Sequence, residues 1–594
     1  MRSLSLIVLL CLVAPVGAAV FNVTNGNDSG AGSLRAAIEA ANANASDPHF
    51  ISFDASVTTV TLNTPLPGMT RTMIVNAFNS NRVTLTKSGS DCWPASQSGL
   101  WVQGPDSILH NLAIEGCFYY GVRLSGSATN TALQGLRVVG SGANGLFIAA
   151  SGVEVERSGT QGSEILDAGR SFPEFPSHLD YPMASAIRVT ASNVRIRGSL
   201  IGAQVGAANK GGHGIYAIGA HGLVVGLDAG GAVQENHRNT LLRNVGSGIY
   251  AVDSNNIAIR GNGIGSPWTN GPGGNVGGQH NDQAGIRVVR GSGTVIGGMD
   301  ADRGNLIGNN KGPGIHISGT NTGSVIEGNR IGAPEPDLSL ANTGFGIFVS
   351  AGVTGLRIGD FAVDRQNLVA SNLAVGIRLD GEFTQNIAVI GNSIVGNLGA
   401  GILRGNSANL LANTPTITQA TPLISGTGAN ADGLVQVYAD NGSQGRYFLG
   451  TAFVDGTGNW NLSVDLAPHA GRNLTATSSR LGTGLFETSD FSAAFPIPGA
   501  ARPLSVGKTG SGSGLVTSNP AGIHCGSTCS NEFADGLQVT LTASADPGSL
   551  FAGWSGEGCA GTGTCIVTMS QARSVIATFN LAPTETLIFA DGFE

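Results

Sequence analysis

Between residues 186 and 404 one phrase recurs seven times: Gly-Ile followed by alternating residues, at Gly214-Ile215, Gly248-Ile249, Gly285-Ile286, Gly314-Ile315, Gly346-Ile347, Gly376-Ile377 and Gly401-Ile402. A second phrase, Asn or Ser with an apolar residue two positions later, falls at Ser199, Asn239, Asn262, Asn305, Asn329, Asn367 and Asn392. Its spacings are 40, 23, 43, 24, 38 and 25 residues, so steps near 24 alternate with steps carrying an extra 14–19. Such a period signals a solenoid, in which each unit buries its apolar face only by stacking on its neighbours. Stretches such as Ile257-Ala258-Ile259-Arg260 and Ile286-Arg287-Val288-Val289 are short, β-branched and alternate with period two, which points to strands. Three short strands and their turns fill a coil of this length, so a parallel β-helix is expected. Leucine-rich repeats have a similar period, but their leucine spacing and helical segment are missing.

The asparagines have a structural reading. Stacked one coil above the next, each amide bonds to its equivalent and satisfies turn backbone. Asn239, Asn262, Asn305, Asn329, Asn367 and Asn392 are therefore expected to form a ladder, and Arg303 and Arg365, each two residues before a ladder Asn, share that structural role. An open coil presents an unpaired strand edge. Ser33 to Asn44 can close it as a short helix: Leu34, Ile38 and Ala41 share one face, and Ser33 stands where an N-cap would.

Composition agrees. Glycine fills 91 of 594 positions, twice the usual ~7 %, without a collagen period. Apolar residues make up 41 %, too many for a disordered chain, and charged residues only 12 %. The net charge is −8 with four lysines, Lys87, Lys210, Lys311 and Lys508, so the basic face that nucleic acid requires is missing and no nucleic-acid partner is expected.

Residues 1–19 read as a secretory signal peptide, with Arg2, an apolar run from Leu4 to Val13, and Val16-Gly17-Ala18 before the cleavage point. The run is too short for a transmembrane anchor. Bulky Leu10 before Cys11 speaks against lipidation. Six cysteines follow: Cys92, Cys117, Cys525, Cys529, Cys559 and Cys565. An even number in an exported chain favours disulfides, and the close pairs near the C-terminus lack the histidines that would favour zinc. The separation of Cys92 and Cys117 is compatible with pairing between neighbouring coils without requiring it.

The run Asn27 to Ile38, with its Ser-Leu-Arg-x-Ala-Ile core, followed by Ile51-Ser52-Phe53-Asp54, resembles the opening cap of bacterial exported right-handed parallel β-helix proteins of the pectate-lyase-like fold. Gly32 stands where some of them carry Cys. The Gly-Asn-x-Ile-Gly phrases at 261–265 and 328–332 are similar to their repeats. The resemblance implies an exported right-handed β-helix over 20–412 and says little about chemistry, because this architecture hosts many activities. Residues 413–497, with Leu434 to Tyr438, Trp460 to Val464 and Leu474 to Thr477 alternating, resemble a bacterial Ig-like β-sandwich with Trp460 in its core. A linker at 498–503 precedes 504–580, where Gly553-Trp554-Ser555-Gly556, the cysteine pairs and Val575 to Phe579 resemble an internalin-like bacterial repeat, a small disulfide-bonded β module. The tail, 581–594, ends in a segment similar to tails of secreted proteobacterial proteins. The expected class is all-β, and the expected location is the outer surface of a Gram-negative-type bacterium or its surroundings.

Lyases on this fold need a base and often Ca²⁺, and hydrolases need paired carboxylates. Gly212-His213-Gly214 echoes the pectin hydrolases, but their companion motifs are missing. The run at 299–305 lacks a third acidic ligand for Ca²⁺, and no cofactor is expected. Loops that depart from the repeat are the better candidates. Residues 156–185 supply Asp167, Arg170, His178 and Tyr181, among other charged and aromatic groups. The excursions 203–213, 266–284 and 333–345 leave the repeat in the same phase, so Lys210, His213, Trp268, His280, Asp282, Glu335 and Asp337 are expected along one edge. Aromatic and mixed polar groups in a row suit an oligosaccharide. The sequence favours a non-catalytic protein binding polysaccharide or cell surfaces, with a lyase or hydrolase using the same edge as the alternative.

Overall fold

The computed structural model describes residues 18–77, 82–88, 93–94, 97–159, 161–168, 184–203, 212–230, 232–266, 280–300, 302–332, 340–421, 423–481, 486–499 and 501–583. Three long parallel sheets of 13, 12 and 11 strands run through the first two thirds of the chain, and each coil visits all three. One coil, for example, runs Ile249–Val252 in the 11-stranded sheet, Ala258–Arg260 in the 13-stranded sheet and Gly263–Ile264 in the 12-stranded sheet, then climbs to Ile286–Val289. This is the expected parallel β-helix.

Stacking of like on like holds it together. Ile215, Ile249, Ile286, Ile315, Ile347, Ile377 and Ile402 lie in direct register, all pointing into the core. Burying each such side chain contributes about 1.5–3 kcal/mol, and β-branched chains suit a pleated stack. At the N-terminal end the helix Leu34–Ala43 covers the first coil. The Ser33 hydroxyl accepts the Ala36 N–H at 3.2 Å, and Leu34, Ile38 and Ala41 are buried beneath it. The strand Ala19–Val23 pairs with His49–Phe53, so the first strand among the described residues begins on the last residue of the expected leader. Residues 1–17 of that leader lie outside the described residues.

The expected asparagine ladder is present in the turn between the 13- and 12-stranded sheets. Each side-chain amide donates to the next oxygen, from Asn239 through Asn262, Asn305, Asn329 and Asn367 to Asn392, at 2.8–2.9 Å. A second ladder, unforeseen, runs parallel to it where the 12-stranded sheet turns into the 11-stranded one: Asn244, Asn281, Asn310, Asn342, Asn372 and Asn397, also at 2.8–2.9 Å. It explains the glycine of the Gly-Ile phrase. A Cβ on Gly248, Gly285 or Gly314 would sit 2.9–3.0 Å from the ladder amide of the next coil and 2.7–2.8 Å from its glycine carbonyl. Arg303 is ion-paired with Asp300, and Arg365 lies 3.8 Å from Asp360.

Beyond the last coil, the strands Thr416–Gln419, Ile424–Thr427 and Trp460–Leu462 face a second antiparallel sheet built on Leu434–Asp440 and Asn473–Leu481, with Trp460 buried between them. This sandwich closes the solenoid. Thr488 Oγ1, Gln436 Oε1 and the Gly445 carbonyl accept from the backbone N–H groups of Val389, Gly391 and Ile394 at 2.9–3.1 Å. A small module of a four- and a three-stranded sheet follows, carrying the disulfides Cys525–Cys529 and Cys559–Cys565. Cys117 is also held in a disulfide, and Cys92 lies outside the described residues.

Candidate functional site: a ridge of aromatic and cationic side chains

The residue after each Gly-Ile points away from the core. Register places these residues in one column on the outer face of the 11-stranded sheet: Tyr216, Tyr250, Arg287, His316, Phe348, Arg378 and Leu403. The column continues through earlier coils as Trp101, Arg123, Phe147 and Arg188. Eleven rungs at ~4.8 Å give a straight ridge roughly 48 Å long. It contains four arginines, one histidine, five aromatic rings and a terminal leucine, and no carboxylate.

The groups stack on one another. Arg123 lies 5.0 Å from the centre of the Trp101 ring and 5.7 Å from that of Tyr120. Arg188 sits between Phe147 at 5.4 Å and Tyr216 at 6.0 Å, and Arg287 lies 5.0 Å over Tyr250. His316 stacks on Phe348 at 4.6 Å. Such contacts hold the guanidinium planes in place by attraction to the electron-rich ring faces. Among the described residues no hydrogen-bond acceptor reaches the Nε of Arg123, Arg188 or Arg287. Arg378, by contrast, is paired with Asp380 at 3.1 Å.

His213 lies beside the ridge, buried, with its ring 4.9 Å from Tyr250 and 5.8 Å from Tyr216. Burial, reinforced by Arg287, pushes its pKa down to about 4. The Ser247 backbone N–H donates to its Nδ1 at 2.9 Å, so the neutral ring keeps its proton on Nε2 and offers a donor rather than a base. His316 is likewise lowered to about 4, by burial first and then by Arg287. Its Nε2 lies 3.1 Å from the Ser350 hydroxyl. Burial raises the Tyr216 phenol, and neighbouring Tyr250 adds to the effect. At neutral pH the only charges on the column are therefore its arginines.

The other candidate residues fall as follows. Asp282 follows the second-ladder Asn281 and forms ion pairs with His280 Nε2 at 3.0 Å and Lys311 Nζ at 2.8 Å. Asp167 is buried in a left-handed turn after the strand Ser163–Leu166. Lys210, Trp268, Glu335, Asp337, Arg170, His178 and Tyr181 lie outside the described residues. Paired carboxylates do occur, Glu115 and Glu164, but both are bound to Arg137 on the 12-stranded sheet, away from the ridge. Asp300, in the run considered for Ca²⁺, takes the backbone and side chain of Arg303. Among the described residues no group of three or more His, Cys, Asp or Glu could hold a metal ion, and no helix is long and apolar enough to cross a membrane.

The Divergent InlB B-repeat domain family matches residues 509–583, in agreement with the expected last module. No curated protein matches the chain. Among solved structures, the enzymatically active domain of bacteriophage CBA120 tailspike protein 2 aligns over 94 % of this chain and 76 % of its own, at 10 % identity and a TM-score of 0.31. Pectate lyase Pel9A aligns over 57 % of this chain and 77 % of its own, at 16 % identity and a TM-score of 0.26. A mutant tailspike of E. coli bacteriophage HK620 in complex with a hexasaccharide aligns over 75 % and 87 %, at 11 % identity and 0.29.

Proposed function

We propose that this is an exported protein that binds polysaccharide, free or on a cell surface, along the ridge of the 11-stranded sheet and does not cleave it. The observation that carries the reading is the column itself: aromatic rings and guanidinium groups in line along the outer face of one continuous sheet. The rings stack on their neighbours along the column, so what a glycan meets is ring edges, tyrosine hydroxyls and guanidinium groups, which donate to sugar oxygens in fixed geometry. The chemistry beside them favours binding over cleavage. The His213 imidazole has its Nδ1 occupied, and the Glu115–Glu164 pair is tied to Arg137 on another face. Export is supported by the leader-like N-terminus and by disulfides, which persist in oxidising compartments.

Affinity electrophoresis of the purified protein through gels containing soluble polysaccharides tests the proposal. A retarding polymer is expected, and Tyr250→Ala and Phe348→Ala should each weaken retardation by about tenfold in affinity. Neither change should alter the circular dichroism. Release of reducing ends or unsaturated products by the wild-type protein would overturn the non-catalytic part. Retardation untouched by both substitutions would move the site off the ridge.

A further inference from the structure

We infer that Ser158, His110 and Asn76 form an esterolytic centre, in which Ser158 attacks the carbonyl of a carboxylic ester and takes over its acyl group. The centre lies on the 13-stranded sheet, apart from the ridge, and stands whether or not the ridge binds a glycan. Two hydrogen bonds in series define it. His110 Nε2 lies 2.5 Å from the Ser158 hydroxyl, and His110 Nδ1 lies 2.7 Å from Asn76 Oδ1. An amide oxygen only accepts, so Nδ1 carries the ring proton and Nε2 keeps the lone pair that a general base needs. A hydroxyl on a base, with the base held by a third group, is the arrangement that activates a nucleophile.

The local fold departs from the repeat to build it. Asn76, His110, Gln134 and Glu156 are register neighbours on four successive rungs. Two residues separate Gln134 from Arg137, whereas seven separate their register partners Glu156 and Glu164 one coil on. The surplus residues fold back over the rung they came from. Ser158 and Gln161 exchange both backbone hydrogen bonds at 2.9 Å, and a Cβ on Gly135 would sit 2.8 Å from the Ser158 Cβ. Arg82 pins the excursion there, donating to the Gly135 and Gly162 carbonyls at 2.8 and 2.7 Å. Ser158 thereby reaches a histidine two rungs away, roughly 10 Å along the stack.

Access and chemistry agree. Asn76 is buried, while Ser158 and His110 are half-buried. Burial lowers the pKa of His110, which leaves the ring neutral and able to take a proton at pH 7. Gly159, next to the nucleophile, is exposed, and no described atom lies within 4 Å of where its Cβ would be. Its N–H has no acceptor among the described residues and is the donor available to an oxyanion formed at Ser158. In the first step Ser158 Oγ bonds to the carbonyl carbon while its proton passes to His110 Nε2. The ester C–O bond then breaks, and the same proton goes to the departing alkoxide. Water, giving a proton to Nε2 in its turn, hydrolyses the acyl-serine, releases the acid and restores the hydroxyl. With open space beyond Gly159, the centre suits a short acyl group on a bulky alcohol, and O-acetyl esters are that class.

The experiment uses the full chain, with p-nitrophenyl acetate as the substrate and a fluorophosphonate as the covalent probe. The probe should add to Ser158, located by peptide mass spectrometry, and acetate release should stop as it does so. Ser158→Ala and His110→Gln should each lower hydrolysis at least about tenfold with an unchanged thermal midpoint. Asn76 acts through His110 and is a positioning residue. Asn76→Leu should therefore lower kcat at least about tenfold at an unchanged KM, and Asn76→Asp, which keeps an acceptor on Nδ1, should restore it. Failure of the probe to label Ser158 in the wild-type chain overturns the inference without recourse to any variant. Hydrolysis that is equal in Ser158→Ala overturns it too, and an unchanged kcat in Asn76→Leu removes Asn76 from the centre. None of these outcomes bears on retardation by polysaccharide, which is read separately.

Discussion

Gln444 of the sandwich stands where the next asparagine of the second ladder would stand, above Asn397. Its Oε1 accepts the Asn397 backbone N–H at 2.9 Å and the Asn397 side-chain amide at 3.1 Å. Its Nε2 donates to the carbonyls of Asn397 and Gly399 at 2.6 and 2.7 Å. One longer side chain thus ends the ladder by satisfying the groups that an open coil would leave bare. Gln444→Leu keeps the volume and removes all four bonds. A buried polar group left without a partner costs about 1–3 kcal/mol, so a loss of about 3 kcal/mol is expected. Because coils fray from the end, amide exchange should accelerate at 392–403 before it does in the middle coils. Unaltered exchange there would show that the sandwich caps the solenoid by shape alone.

The Gly-Ile glycines are predicted to resist the smallest enlargement. A Cβ on Gly285 would meet the Gly314 carbonyl and Ile307 Cγ2 at 2.7 Å and the Asn310 amide at 2.9 Å. None of these can swing aside, since one is backbone and the others are fixed in the stack. Gly285→Ala should therefore destabilise by about 1–3 kcal/mol, read as a lower denaturation midpoint with an unchanged slope. Ala at exposed Gly230, which has nothing within 4 Å, should be neutral.

In the last module the disulfides close short loops, with sequence separations of 4 and 6. Loop-closure entropy then contributes only about 2 kcal/mol for each. The module is small and counts Cys525 and Cys565 in its core. Replacing Cys559 and Cys565 together by Ser should lower the stability of 504–581 by about that amount without touching the β-helix transition. Simultaneous loss of both transitions would show that the two parts unfold as one.

The sequence made the solenoid legible because its core positions repeat the same letters. Ile stands on Ile and Asn on Asn, since like shapes stack and like amides bond. The second ladder was hidden by arithmetic. Asn244, Asn310, Asn372 and Asn397 each follow a first-ladder asparagine by 5 residues, but Asn281 and Asn342 follow theirs by 19 and 13, because 14 and 8 extra residues are interposed in those two coils. The ridge was hidden for the opposite reason. Its residues occupy a constant place after Gly-Ile, yet their identities change from Tyr to Arg to His to Phe, because outward positions are free of the core's demand that identical shapes stack. Attention to loops found His213, His280 and Asp282 at the rim of that face and passed over the column beside them.

The two histidines near the ridge give the fold a pH dependence of fixed sign. His213 and His316 ordinarily titrate near 6.5, and burial together with Arg287 brings both to about 4 in the folded protein. Between these values the unfolded chain binds protons that the folded chain refuses. The stability that this neutrality supports is complete above about 6.5 and is lost as the pH falls towards 4. Each shift corresponds to at most about 3 kcal/mol, with the smaller share for the less buried His316. Carboxylates held low by hydrogen bonds, such as Asp28 and Asp455, act in a lower window, while His110, His237 and His469, also lowered by burial, add to the loss in this one. Urea denaturation at pH 7.5 and at pH 4.5 should therefore show a marked loss of stability at the lower value. In the double variant His213→Gln, His316→Gln the loss should shrink by several kcal/mol, because Gln can accept the Ser247 N–H without titrating. An equal loss in the variant would place the acid sensitivity elsewhere in the chain.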